Sequence, residues 1–241
     1  MAGFWQDFRY AVRQVRKSPG FAIVTILILA LGIGLNTAMF SVANAAMLRP
    51  LPYPDSDLLV RVWSTSTRIQ TDVSSYPDFQ DWASQSHSFE QMGAYSGRSF
   101  NLSGGDRPQR VDGLRTTASL FSVLRVKPLV GRLFTAEEQS AGQDHLVLLT
   151  ESLWRTRFQA NPGMVGSTLK LNDENYTVIG VLPSSFDFPP EQKSAILVPL
   201  SPDPSRNHGF LNVVGRLRSG VSLREAQAEM STIARRLGKQ Y

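Results

Sequence analysis

From Phe21 to Leu48 the chain carries no Asp, Glu, Lys, Arg or His, and this uncharged run constrains the fold of the 241-residue chain more than any other feature. As a helix its 28 residues would reach about 42 Å at 1.5 Å per residue, beyond the ~30 Å hydrocarbon layer of a bilayer. The expectation is one transmembrane helix over 21–48, with the more polar part around Asn36, Thr37, Ser41 and Asn44 emerging from the lipid. Arg9, Arg13, Arg16 and Lys17 crowd the first flank against Asp7, whereas Arg49 on the other side is soon followed by Asp55 and Asp57. The positive-inside rule then puts the N-terminus in the cytoplasm and residues 49–241 outside it.

A cleavable signal peptide is the alternative, because Ala43-Asn44-Ala45 resembles the small-residue site that signal peptidase cuts. Against it, 20 residues precede the run, and the run outlasts the ~7–15 residues of an ordinary signal-peptide core. Phe4, Trp5, Phe8, Val12 and Val15 also fall at helical spacing, with the basic residues opposite. That pattern predicts an amphipathic interfacial helix over residues 1–20, lying on the cytoplasmic leaflet.

Within the spanning helix Ala30, Gly34 and Ala38 stand four residues apart and share a face, which Thr37, Ser41 and Ala45 continue. Small residues let another helix approach closely, so the three are the candidate helix-packing residues. The plainer reading is that small residues are frequent in membrane helices.

Composition narrows the function. The chain has no cysteine, which excludes disulfides, thiolate metal sites and cysteine nucleophiles. Its net charge of +5 is concentrated in residues 1–20, which hold +3. The remainder is nearly balanced, which argues against a nucleic-acid partner, since that needs a basic face on the folded domain.

After Leu48, Arg49-Pro50-Leu51-Pro52-Tyr53-Pro54 cannot continue a helix and marks the start of a soluble domain over 49–241. Leu58 to Trp63 reads as a buried strand. Ser75 caps a helix in which Asp78 follows three residues later and Phe79, Trp82 and Ala83 face inward. Extended segments follow from Phe89 to Thr117, broken at Gly104-Gly105, and then a short helix from Ser119 to Val126. A strand is expected from His145 to Leu149, and a helix from Glu151 to Phe158 with Leu153, Trp154 and Phe158 inward. Strands Leu169–Leu171 and Tyr176–Leu182 flank a hairpin turn at Asn172-Asp173-Glu174-Asn175. Two more strands fit Ala195–Leu200 and Phe210–Leu217. The last helix has a Ser222/Glu225 capping box, a stripe of Leu223, Ala226, Met230, Ile233 and Leu237, and Gly238 at its end. The fold class is α+β: one N-terminal transmembrane helix and then a mixed α+β domain.

No chemistry emerges from the motifs. The sequence has no phosphate-cradling Gly-rich loop ending in Gly-Lys-Ser/Thr, no His-Glu-x-x-His, no Gly-x-Ser-x-Gly and no EF-hand loop. ATP hydrolysis is therefore not expected here. His87, His145 and His208 lack metal-ligand spacing. Glu137/Glu138 and Asp78/Asp81 read as a solvated face and a helix N-terminus, against the alternative of a catalytic dyad. No catalytic residue, cofactor or metal is expected.

Several stretches carry a family resemblance. Leu31-Gly32-Ile33-Gly34-Leu35-Asn36-Thr37-Ala38-Met39-Phe40-Ser41-Val42, Leu48-Arg49-Pro50-Leu51-Pro52-Tyr53-Pro54 and Tyr76-Pro77-Asp78-Phe79-Gln80-Asp81-Trp82 follow one another as in MacB-like ABC transporter permeases. Val130-Gly131-Arg132-Leu133-Phe134, Tyr176-Thr177-Val178-Ile179-Gly180-Val181 and Gly220-Val221-Ser222-Leu223 resemble further blocks of the MacB-like periplasmic core domain. The chain is most similar in kind to the stand-alone, FtsX-like permeases described from acidobacteria, which lack a fused ATPase. Asp173 departs from the glycine expected after Asn172, which predicts a longer hairpin turn than the family's usual one.

The resemblance implies an N-terminal piece of a longer permease of the bacterial plasma membrane, with its domain in the periplasm, incomplete at the C-terminus and followed by further membrane helices. It also implies a non-catalytic subunit that passes ATP-driven motion from a cytoplasmic ABC ATPase to the periplasmic domain, for efflux or envelope transport. Implied partners are the lipid bilayer, that ATPase, a second copy in a homodimer of the full-length permease, and a periplasmic adaptor. The alternatives are a single-span anchored binding module with no ATPase partner and, more remotely, an envelope enzyme.

Overall fold

The computed structural model describes residues 13, 19–43, 51–64, 73–103, 108–140, 142–190 and 192–241. Apart from residues 13, 19 and 20, the expected interfacial helix over 1–20 lies outside those residues, as do the break at Gly104-Gly105 and the end of the spanning helix beyond Ala43. The chain divides into two compact units, Met1–Leu51 and Pro52–Tyr241.

The first unit contains helix α1, Pro19–Ala43. Proline at its first position donates no N–H that the helix would need, and the apolar run supplies every position after it. The segment Pro19–Ser41 is 23 residues long with a mean hydropathy of 2.2, long and apolar enough to cross a membrane. None of its residues whose burial is described is buried.

The second unit is a sheet-rich α+β domain. Its elements are β1 (Leu59–Val62), α2 (Tyr76–Gln85), β2 (Phe89–Ser103), β3 (Gln109–Thr116), α3 (Ser119–Leu124), β4 (Val130–Gly131), β5 (Leu146–Thr150), α4 (Glu151–Phe158), β6 (Thr168–Leu171), β7 (Glu174–Leu182), β8 (Ile196–Pro199), β9 (Asn212–Leu217) and α5 (Leu223–Gln240). The strands run in the order β1-β9-β2-β3-β8-β5-β7-β4, and β6 bridges β2 and β7.

That bridge divides the sheet into two working parts. Through β2-β3, β3-β8, β8-β5, β5-β7, β7-β6 and β6-β2 the hydrogen bonding closes on itself, and Leu102↔Leu171 is the closing register. Inside this ring sit Phe100, Leu102, Val111, Val147, Leu149, Leu171, Val178 and Ile196, with Leu153 and Trp154 of α4 packed against them. The other part is the open sheet β1-β9-β2, antiparallel at both joints. Helices α2 and α5 cover one face of it, burying Phe79, Trp82, Met92, Ala94, Val213, Leu217, Ala226, Ile233 and Leu237. Strand β2 serves both parts because its 15 residues exceed the length that one face of a small core requires.

The local expectations hold at the helix starts. Ser75 Oγ accepts from the Asp78 N–H at 3.2 Å. The capping box of α5 forms in both directions between Ser222 and Glu225. Four details differ. β1 is a half-buried edge strand rather than a buried one, so Trp63 stands 51 % exposed. Ala83 on α2 is exposed. Helix α5 runs through Gly238 to Gln240, and Leu223 in its first turn is 61 % exposed instead of joining the core stripe. The β6–β7 turn is no longer than two residues: Leu171 pairs with Glu174, leaving Asn172 and Asp173 between them. Both adopt left-handed backbone, φ 50° and 71°. Asn and Asp tolerate this conformation better than other non-glycine residues, so the missing glycine does not lengthen the loop.

Candidate functional sites: the apolar helix and the anchored start of the domain

Ala30, Gly34 and Ala38 all fall inside α1 and are exposed. A Cβ added at Gly34 or Gly32 would meet nothing within 4 Å. The small-residue face is therefore open, and at its centre a neighbouring helix would find backbone rather than side chain.

The start of the domain is fixed to its interior by three residues. Tyr53 is 7 % exposed, and its hydroxyl accepts the Asp187 N–H at 3.1 Å. Its ring meets Phe188 edge-on at 6.4 Å, and Phe188 in turn meets Tyr95 of β2 at 4.9 Å. Burial raises the pKa of the Tyr53 phenol, so the group stays protonated. Two residues further on, Asp55 turns the chain with φ 49° and forms an ion pair with Arg125. Arg125 also reaches Glu90 at 3.3 Å.

Beneath that pair lies Arg216 of β9, 1 % exposed and the largest fully buried side chain. Its Nε donates to the Val123 carbonyl at 2.8 Å and Nη1 to the Asp55 carbonyl at 3.0 Å, while Nη2 has no hydrogen-bond partner. Burial, with the neighbouring Arg125 charge, pushes its pKa down from the ordinary arginine value. Arg216 thereby ties three parts together: the first turn of the domain, the end of α3 and the open sheet. The motif reading missed it. The clue was a lone cation inside Val213-Val214-Gly215-Arg216-Leu217, since a strand that is apolar on both faces leaves no solvated side for a charge.

The remaining polar groups have structural partners. Asp78 and Asp81, read as a helix N-terminus, both grip Arg206, at 2.7 and 2.5 Å. Glu138 pairs with Arg132 and accepts the Thr135 N–H at 2.9 Å, so that half of the expected solvated pair is engaged. His145 lies 3.4 Å from Asp144 and 3.6 Å from Glu174, and His208 lies 2.7 Å from Asp203. Each histidine stacks on a ring, Tyr176 and Phe210 respectively. No group of three or more metal-ligating side chains occurs among the described residues. Ser201 donates to the Asp144 carboxylate at 2.5 Å rather than to a histidine.

Two of the resembling blocks meet in space. Val130 pairs with Val181 and Gly131 with Gly180 across β4–β7.

The crystal structure of the periplasmic region of MacB from Actinobacillus actinomycetemcomitans matches with a TM-score of 0.57 at 17 % identity, over 74 % of this chain and 82 % of that one. The extracellular domain of the noncanonic ABC-type transporter YknZ from Gram-positive bacteria matches at 0.55 and 13 % identity, over 76 % and 94 %. A domain of a putative permease protein from Porphyromonas gingivalis matches at 0.53 and 16 %, over 70 % and 73 %. At these identities the likeness is one of fold. No curated protein matches the sequence. The profile described as MacB-like periplasmic core domain matches residues 22–233, from inside the apolar helix to the last turns of α5. The chain belongs to the MacB-like periplasmic core domain family.

Proposed function

We propose that the chain is the membrane-anchored, extracytoplasmic part of an ABC transporter permease, non-catalytic itself and moved by a cytoplasmic ATPase. The observation that carries this reading is the pairing of an unburied, membrane-length apolar helix with a domain of the MacB-like family. Helix α1 crosses the plasma membrane with its N-terminus in the cytoplasm, as the basic residues of 1–17 require. Residues 49–241 lie outside and work in efflux or envelope transport.

In this reading Tyr53, Asp55 and Arg216 receive the motion. A displacement of the segment that leaves the membrane helix pulls on a ring contact, an ion pair and a buried guanidinium. These anchor to β2, α3 and β9, elements that pack as rigid bodies. The domain then moves with its first residues instead of letting them fray. The full-length permease acts as a homodimer, and its domain meets a periplasmic adaptor.

Protease added to spheroplasts tests the topology, with degradation of the domain and protection of residues 1–17 as the expected result. Survival of the domain, or a mature N-terminus at Ala46, overturns it. The energy source is tested by co-purifying the full-length permease with a cytoplasmic ATPase. The 241-residue chain alone hydrolyses no ATP, and failure of the full-length protein to stimulate any nucleotide-binding partner leaves the anchored binding module as the better reading.

A further inference from the structure

The face of β2 that builds both cores is interrupted by charge. Met92 and Ala94 are buried in the core under α2 and α5, and Phe100 and Leu102 inside the ring. Between them, at the period of two that keeps to one face, stand Ser96 and Arg98. The register sets Arg115 of β3 directly opposite Ser96, and Gly113 opposite Arg98. The two arginines are therefore diagonal neighbours on the same side of the sheet. Like charges so placed repel, and packing between two apolar cores would favour apolar residues at both positions.

Each guanidinium lies over an aromatic ring. Arg98 stands 5.6 Å from the Phe100 centroid and Arg115 stands 5.1 Å from that of Phe210. Stacking occupies the flat face of a guanidinium and leaves its N–H edge free. Among the described residues neither arginine has an ion-pair or hydrogen-bond partner, and Nε of Arg115 is buried with no acceptor. Burial lowers the Arg115 pKa, the Arg98 charge lowers it further, and Asp203 opposes both. The carboxylates around the pair are engaged elsewhere. Asp203 accepts the Ser205 N–H at 2.8 Å and lies 2.7 Å from His208 Nδ1, while Asp144 accepts from Ser201 at 2.5 Å. Glu174 faces His145 at 3.6 Å. On the ring side the pair reaches Tyr176, where burial raises the phenol pKa and the Arg98 charge opposes the rise.

We propose that Arg98 and Arg115 form a phosphate-binding site, and that the acceptor missing from Arg115 Nε is an oxygen of the bound phosphate. Two guanidinium forks side by side suit a dianion with several acceptor oxygens, which a phosphate monoester is near neutral pH. A carboxylate has oxygens for one fork only. Ser96, 7 % exposed and next to Arg115, adds a hydroxyl donor on the same face. The phosphate belongs to a free solute or to a lipid head group, and the pair would grip both by the same chemistry. The site is independent of the transport reading: it holds or fails whether or not an ATPase moves the domain.

Titration calorimetry on the 241-residue protein in a neutral detergent tests it, with inorganic phosphate as probe and sodium chloride at matched ionic strength as blank. Phosphate should bind at millimolar concentrations, and Arg98→Gln and Arg115→Gln should each weaken binding by about tenfold. Arg115→Lys keeps the charge but loses the fork, and should weaken binding as well. Arg110→Gln removes the same charge from the other face of β3 and should leave binding unchanged. Arg98 is exposed, so Arg98→Gln keeps the fold and reads the site even if the Arg115 variants lose stability. Displacement of phosphate by phosphatidic acid doped into the micelles, but not by phosphatidylcholine, assigns the phosphate to a lipid. No displacement assigns it to a free solute, and both results support the site. Absence of binding beyond the chloride blank, or equal weakening by Arg98→Gln and Arg110→Gln, overturns the proposal.

Discussion

Arg216 donates a hydrogen bond to the backbone carbonyl of Asp55, 161 positions earlier, from a site that is 1 % exposed. The bond fixes the first turn of the domain to its central open sheet. A second bond, to Val123, satisfies a carbonyl at the end of α3 that has lost its helical partner.

Arg216→Met keeps the stem packing but orphans the Val123 carbonyl, and should lower stability by about 1–3 kcal/mol in urea titration. Asp55→Asn removes only the ion pair to Arg125, whose two side chains are 39 % and 56 % exposed. It should cost less than about 1 kcal/mol. Equal effects of the two variants would mean that the surface pair, and not the buried guanidinium, holds the turn.

The β4–β7 pair depends on absent side chains. A Cβ on Gly131, where φ is 76°, would lie 2.2 Å from the Ile179 carbonyl oxygen, and one on Gly180 would lie 2.6 Å from that of Arg132. Both obstacles are backbone and cannot rotate away. Gly131→Ala and Gly180→Ala should each destabilise by roughly 3 kcal/mol or more. Gly166, with φ 90° and open space around it, bears conformational strain alone, so Gly166→Ala should cost only about 1–2 kcal/mol. Thermal or urea unfolding of the three variants checks the order.

What the sequence made legible was local. The Ser75 and Ser222 caps, the Glu151–Phe158 helix and the Asn172-Asp173 turn each follow from residues within a few positions of one another. The turn's length was misjudged because the absent glycine was weighted above the tolerance of Asp for left-handed backbone. Ring closure through Leu102↔Leu171 was not legible, since hydrogen bonds between strands some seventy residues apart leave no periodicity behind. The candidate helix face could be read because it needs only the 3.6-residue period. The Tyr53–Asp55–Arg216 anchorage could not, because its partners come from four distant segments. Leu223 shows the same limit from the other side: helical spacing put it on the stripe, but in the first turn of α5 it stands 61 % exposed.

Acid should loosen the contact between α5 and the start of β2. The Glu229 carboxylate accepts the N–H groups of His87 at 2.7 Å and Ser88 at 2.8 Å. Burial alone would raise its pKa, but these hydrogen bonds outweigh it and the net shift is downward. A folded pKa below the unfolded value of about 4.3 means that the contribution is complete above that value and lost as pH falls through the folded one. Glu229→Gln should therefore cost about 1–2 kcal/mol near neutral pH, with the difference shrinking towards about pH 3. Urea titrations of the parent and variant at the two pH values give the comparison, and a difference independent of pH would assign the effect to shape rather than charge.

The last prediction concerns the face formed by Ala30, Gly34 and Ala38. All three are exposed on α1, and nothing lies within 4 Å of a Cβ at Gly34, so leucine at this position clashes with nothing inside the chain. Any effect of Gly34→Leu must arise between α1 and another helix, where the added bulk would hold backbones apart. Hydrophobicity rises slightly, so insertion into the membrane should be unchanged. Gly32→Leu provides the control, because Gly32 is equally open and two residues away, on a different side of the helix. If the small-residue face joins this helix to its neighbours in the full-length permease, Gly34→Leu should reduce recovery of the assembled complex in mild detergent while Gly32→Leu leaves it intact. Equal recovery of both variants would make the face lipid-exposed, and loss in both would reflect a general demand for small residues along the helix.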